Sequence, residues 1–216
     1  MIIAIDGPAG AGKSTTAKAV ARELGIAHMD TGAMYRAITL AFLRDGLAID
    51  DPKQLDDLVA AIDVSLDDGS VHMDGVDVTG ELRSTEVTEA VAAVAATPPV
   101  RAALVPLQRR LAAERDIVVE GRDIGTVVFP GAEVKIYLTA SPSERAKRRT
   151  RQLGLEEAPE TVDELEEEIR SRDDVDATRE VSPLAQATEA LLIDSTTMTL
   201  DEVVRSIVAA VEKRDR

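Results

Sequence analysis

Eight residues near the start of the chain constrain its fold more than any others. Gly7-Pro8-Ala9-Gly10-Ala11-Gly12-Lys13-Ser14 fits GxxxxGK[ST] without a gap. An apolar run, Ile2 to Ile5, precedes it, and an Ala-rich helical stretch to about Leu24 follows. Strand, glycine loop and helix is the setting this motif requires. The glycines let the backbone curl so that successive N–H groups converge on phosphate oxygens at the positive end of a helix. Lys13 adds a full charge near the β- and γ-phosphates, and Ser14 offers a hydroxyl to Mg²⁺. A ligand-free glycine turn is the bland alternative, and the complete motif in context outweighs it. The loop implies a nucleoside triphosphate site.

The strand–helix alternation continues. Ile117-Val118-Val119 reads as a buried strand and Val134 to Leu138 as another, with a helix predicted from Pro142 to about Leu153. Ala190 to Ile193 is a further apolar run, before a helix from about Leu200 to Lys213. This order predicts a three-layer α/β fold around a parallel sheet. Between Val64 and Thr79 three short β-like runs are separated by Asp68-Gly69 and Asp74-Gly75, which are hairpin signals. They predict a small antiparallel insertion, flanked by helices at about Pro52 to Ile62 and Thr85 to Ala96. Thr97-Pro98-Pro99 then breaks the pattern before a helix from about Val100. The acidic stretch Glu156 to Glu168 reads as a solvated helix face.

Composition narrows the function. At 216 residues, with 44% hydrophobic, the chain can bury one core. Aromatics at 2% disfavour base-stacking platforms, and a net charge of −15 disfavours a general nucleic-acid surface. The absence of cysteine excludes disulfides, thiolate catalysis and Cys-based zinc sites. His28 and His72 are read as structural. There is no signal-like start and no run of 18 apolar residues, so a soluble cytoplasmic protein without membrane or nucleic-acid partners is expected. No asparagine is present, so the Asn-Lys-x-Asp box by which GTPases read guanine is excluded. A small kinase remains.

Further strings sharpen this: Asp30-Thr31-Gly32-Ala33-Met34-Tyr35-Arg36, then Gly121-Arg122-Asp123-Ile124-Gly125-Thr126-Val127-Val128-Phe129-Pro130. Later come Arg172-Asp173-Asp174-Val175-Asp176-Ala177-Thr178-Arg179, Pro183-Leu184 and Asp194-Ser195-Thr196. Together they resemble the bacterial cytidylate kinase family, short nucleoside monophosphate kinases with an enlarged monophosphate-binding insertion. The resemblance runs from end to end. It implies a P-loop kinase fold with a helical lid, and transfer of the ATP γ-phosphoryl group to CMP or dCMP, with UMP weaker and Mg²⁺ as cofactor. It implies one domain: core 1–50, 115–153 and 185–216, insertion about 51–114, lid about 154–184. A monomer is expected.

Residue by residue, the resemblance implies ATP binding by Gly7 to Ser14 and Thr15, with Lys13, Arg122 and Arg179 catalytic and Ser14 on the metal. Arg36 and Arg122 resemble the pair that grips the acceptor phosphate, and Arg101 and Asp123 the groups that read cytosine. Arg172 and Asp176 match ribose contacts, Thr31 and Tyr35 lie beside the acceptor, and Arg179 belongs to a closing segment. Two positions depart from the pattern: Ala92, where many relatives carry a base-bonding serine, and Val175, where some carry an arginine. Without the resemblance, Arg36 reads equally as an exposed helix arginine, Asp123 as a turn residue and Tyr35 as packing. Asp30 is a helix N-cap or a partner of a group that itself binds Mg²⁺. Arg145, Arg148, Arg149 and Arg151 cluster on one helix, read by default as a solvated face, with phosphate contact for one or two as the alternative. A kinase for a small alcohol such as shikimate, and a nucleotide-binding switch without turnover, are the competing functions.

Overall fold

Ile3, Ala4 and Ile5 are fully buried, as a central parallel strand covered on both faces demands. They lie in β1 (Ile2–Asp6), the middle strand of a five-stranded sheet. The computed structural model describes residues 1–67, 69–154, 159–178 and 181–214, and not the side chains of 67, 153, 159–161 and 172. The chain divides into two compact units, Met1–His28 with Arg115–Arg216, and Met29–Glu114.

The first unit carries β1, α1 (Lys13–Leu24), the start of β2 (Ala27–Asp30), β6 (Ile117–Gly121), β7 (Val134–Thr139), α6 (Pro142–Leu153), α7 (Pro159–Thr178), β8 (Leu191–Asp194) and α8 (Leu200–Arg214). The strand order is β2-β6-β1-β7-β8, with β1 parallel to β6 and β7, and β7 parallel to β8. Ala17 and Val20 of α1 and Val203, Ile207 and Val211 of α8 close one aliphatic core with Ile3, Ile5, Ile136 and Leu138. The three-layer α/β fold is thus observed. Gly25 ends α1 in the left-handed region, φ 66°, its N–H bonded to the Ala21 and Arg22 carbonyls. Ser141 caps α6 with Pro142 as its first residue.

The second unit holds α2 (Thr31–Arg44), α3 (Pro52–Ala61), α4 (Thr85–Ala96), α5 (Pro98–Ala112) and the antiparallel sheet β3 (Val64–Asp67), β4 (Ser70–Met73), β5 (Val76–Asp77). The predicted three-run insertion is present, with Val64 opposite Met73 and Met73 opposite Val76. Helix α5 starts at Pro98, two residues before the expected Val100, because a helix's first residues need no N–H partner. The sequence reading missed β2. It also missed the length of α7, which is 20 residues long and continues beyond the acidic stretch to Thr178. No single helix among the described residues is long and apolar enough to cross a membrane.

Candidate functional site

The loop between β1 and α1 is built by close approach. Gly7, at φ 149°, passes so near β7 that a Cβ would lie 1.9 Å from the Leu138 carbonyl oxygen. Gly12, at φ 92°, is the N-cap of α1. Alternate carbonyls of the loop are held by arginines from elsewhere in the unit. Arg122 Nη1 donates to Gly7 O (3.2 Å), Arg145 Nη1 to Ala9 O (3.1 Å) and Arg148 Nη1 to Ala11 O (3.2 Å). Lys13 Nζ donates to Pro8 O at 2.8 Å. Fixing a carbonyl fixes the peptide plane, and with it the direction of the neighbouring N–H. That is what a backbone anion cradle requires.

Helix α1 places Ser14 in its first turn, where Oγ donates to Glu120 Oε2 at 2.7 Å. Glu120 stands on β6 opposite Ile5, is 2% exposed, and its other oxygen lies 3.0 Å from His28 Nε2. A buried carboxylate beside a hydroxyl at the foot of the loop offers a hard cation two oxygen ligands. Among the described residues no group of three or more His, Cys, Asp or Glu has metal-binding geometry.

At the end of β1, Asp6 is almost fully buried and accepts from the N–H groups of Ile124 and Gly125, both at 2.7 Å. Burial raises its pKa to about 6; the two N–H donors and Lys13 pull it down, and neighbouring Asp123 pushes it up. Asp6 thereby ties down the chain next to Arg122 and Asp123. The Asp123 carbonyl accepts from Val127 and Val128, opening a wide turn over Ile124–Val128. Asp123 is buried, at 4% exposed. Arg122 also pairs with Asp176 of α7 at 3.2 Å.

In the second unit Asp30 caps α2, its Oδ1 accepting from Ala33 N at 3.1 Å, which fits the capping alternative. Thr31 and Tyr35 are buried in the first turns of α2. The Arg101 guanidinium, on α5, lies 5.8 Å from the Tyr35 ring centroid, a cation–π contact, and Arg101 is itself buried. Arg36 is half-buried and donates to Leu82 O (3.0 Å) and Thr88 Oγ1 (2.9 Å), so it is not a solvated helix arginine.

The structure thus brings the loop, Arg122, Asp123 and Asp176 into the first unit, and Thr31, Tyr35, Arg36 and Arg101 into the second. Arg179 lies outside the described residues, and of Arg172 only the backbone, within α7, is described. The solvated-face reading of the α6 arginines is corrected for two of the four. Arg145 is 3% exposed, and Arg148 bonds the Ser195 carbonyl at 2.7 Å besides the loop. Sequence reasoning missed Glu120 and Asp6. The available signal was a carboxylate ending each of two apolar strands that lead into glycine-containing loops.

A family model described as cytidylate kinase matches residues 3–213. A curated cytidylate kinase of Desulforamulus reducens is 50% identical over 214 residues, covering 98% of this chain and 96% of that protein. One of Mycobacterium leprae is 46% identical over 215 residues, covering 99% and 96%. Among solved structures, a shikimate kinase from Bacteroides thetaiotaomicron superposes with a TM-score of 0.52 at 14% identity, covering 98% of each chain. That last likeness concerns the fold alone.

Proposed function

The chain belongs to the cytidylate kinase family, and from that premise we propose that it transfers the ATP γ-phosphoryl group to CMP or dCMP, giving CDP or dCDP and ADP. The observation that carries the reading is the phosphate loop, its carbonyls held at Gly7, Ala9 and Ala11 with Lys13 beside it. Gly7 to Ser14 and Thr15 bind the donor phosphates in this reading.

An acceptor monophosphate is largely dianionic near neutral pH, its second pKa being about 6. It needs no general base. The barrier lies in bringing two polyanions into line and in stabilising charge on the transferring group. Lys13, Arg122 and Arg179 are assigned to that charge. Arg36 joins Arg122 on the acceptor phosphate, and arginine suits this task because its planar fork holds two phosphate oxygens. Arg101 and Asp123 read the cytosine edge, Arg172 and Asp176 the ribose, and Thr31 and Tyr35 lie beside the acceptor.

Magnesium fits the residues present. It retains several waters and takes only one or two protein oxygens beside substrate phosphates. Ser14, with Glu120 behind it at 2.7 Å, meets that demand. When bound, the ion neutralises phosphate charge. We further assign core, insertion and lid to the segments given above, although α2 packs with the second unit. A cytoplasmic monomer that uses UMP weakly completes the reading. ADP release measured by a coupled assay across a panel of nucleoside monophosphates and small alcohols tests it. Turnover with CMP and dCMP above all others is expected, and preference for an alcohol would overturn it.

A further inference from the structure

Three segments meet at one guanidinium. Arg145, in the first turn of α6, donates from Nε to Ala140 O at the end of β7 (2.9 Å) and from Nη1 to Ala9 O in the phosphate loop (3.1 Å). It also grips Asp173 of α7 with both nitrogens of its fork, Nη1 to Oδ1 at 3.0 Å and Nη2 to Oδ2 at 2.5 Å. A side chain at Gly10 would meet the Arg145 Cβ at 3.1 Å, so the loop rests directly on this residue. The pattern repeats one helical turn along α7. Asp176 pairs with Arg122, which holds the Gly7 carbonyl. Residues three apart share a helix face, so one face of α7 reaches two arginines that each hold a loop carbonyl.

We propose that Arg145 and Asp173 are a positioning pair: Asp173 orients the Arg145 fork, the fork fixes the Ala9 peptide, and the phosphate loop and α7 are thereby coupled. The inference rests on the assignment of residues 7–14 to ATP. Arg145 is buried and engaged by protein acceptors, so its role in the pair is to position the loop. A buried guanidinium without its counter-charge is costly, and Asp173 removes that cost in one orientation only, because a bidentate pair fixes the plane of the fork. With the Ala9 carbonyl released, the loop N–H groups sample several arrangements and ATP must order them on binding. Linkage makes the coupling reciprocal: ATP, by ordering the loop, also steadies α7.

The test compares the intact protein with Asp173→Asn, Arg145→Lys and the double variant. It measures ATP dissociation constants in excess magnesium, KM for ATP against kcat, and amide exchange over residues 162–178 with and without ATP. Each single change should weaken ATP binding about tenfold, the loss falling on KM more than on kcat. The double variant should be no weaker than either single one. ATP should slow exchange in α7 of the wild type but not of Asp173→Asn. Unchanged ATP affinity in a folded Asp173→Asn protein, strictly additive losses, or a lowered melting temperature alone would each overturn the pair. A wild type that binds no ATP would instead overturn the loop assignment itself.

Discussion

Because the acceptor brings its own negative charge, the proposed mechanism rests on single side chains that bind and steady charge, and two of them can be tested in isolation. Lys13 lies on the loop, its Nζ on the Pro8 carbonyl at 2.8 Å, while the loop's shape rests on glycines and on the three arginines. Lys13→Ala should therefore leave the fold intact and lower the rate of transfer about 10²–10³-fold, the usual cost of losing a preorganised charge. Near-normal turnover at saturating ATP would refute its role. Asp123 is the second case. Cytosine offers an amino donor where uracil offers a carbonyl, so a carboxylate there accepts from one and opposes the other. Asp123 is buried, and a buried mismatch costs about 1–3 kcal/mol. Asp123→Ala should reduce kcat/KM for CMP far more than for UMP. An unchanged CMP:UMP ratio would leave Asp123 as a prop for the turn that follows Arg122. Ala92 supplies no hydroxyl, so rejection of UMP should be incomplete.

Elements were legible in proportion to how locally they are determined. The first strand, the glycine loop and α1 are announced by eight contiguous residues, and the β3–β4–β5 sheet by two Asp-Gly turns. Strand β2 was not, because four residues between a C-capping glycine and an N-capping aspartate leave no room for a period-2 pattern. The inward turn of Arg145 and Arg148 was hidden for a different reason. Four arginines within residues 145–151 mark a basic helix, but nothing local says which face meets a loop over 130 residues earlier. Glu120 was overlooked beside a more conspicuous string, although its bond to Ser14 makes it part of the loop's foundation. Close approach between elements gives its own prediction. Gly7→Ala places a carbon 1.9 Å from a backbone oxygen, at a φ that side chains rarely adopt, and neither partner is the free end of a side chain. It should cost about 3 kcal/mol or more, read as a fall in the denaturant midpoint with m unchanged. A midpoint equal to wild type would mean that β7 and the loop can separate.

At the scale of the whole molecule, the pH dependence of stability follows from groups whose proton the folded and unfolded chains hold differently, and Asp6 is such a group. Asp6 titrates at about 6 in the folded chain, against 3.8 for the exposed group. The folded state therefore binds this proton more tightly than the unfolded one. Asp6 contributes stability that is full below about pH 4 and is lost as pH rises through about 6, amounting to about 3 kcal/mol. The unfolding free energy of wild type, taken relative to Asp6→Asn, should thus fall between pH 4 and pH 7. A difference that is flat or rises with pH would contradict the assignment. The grip on the phosphate loop carries a last consequence, for how such a chain changes over generations. The guanidinia hold main-chain oxygens, so replacing the side chain of Ala9 leaves every gripping atom in place. Losing Arg145, 136 residues downstream, removes the hold on the Ala9 carbonyl. Selection for the loop's shape is thereby displaced into α6, and lineages that alter triphosphate affinity should carry their mutations there rather than in the motif by which the loop is recognised.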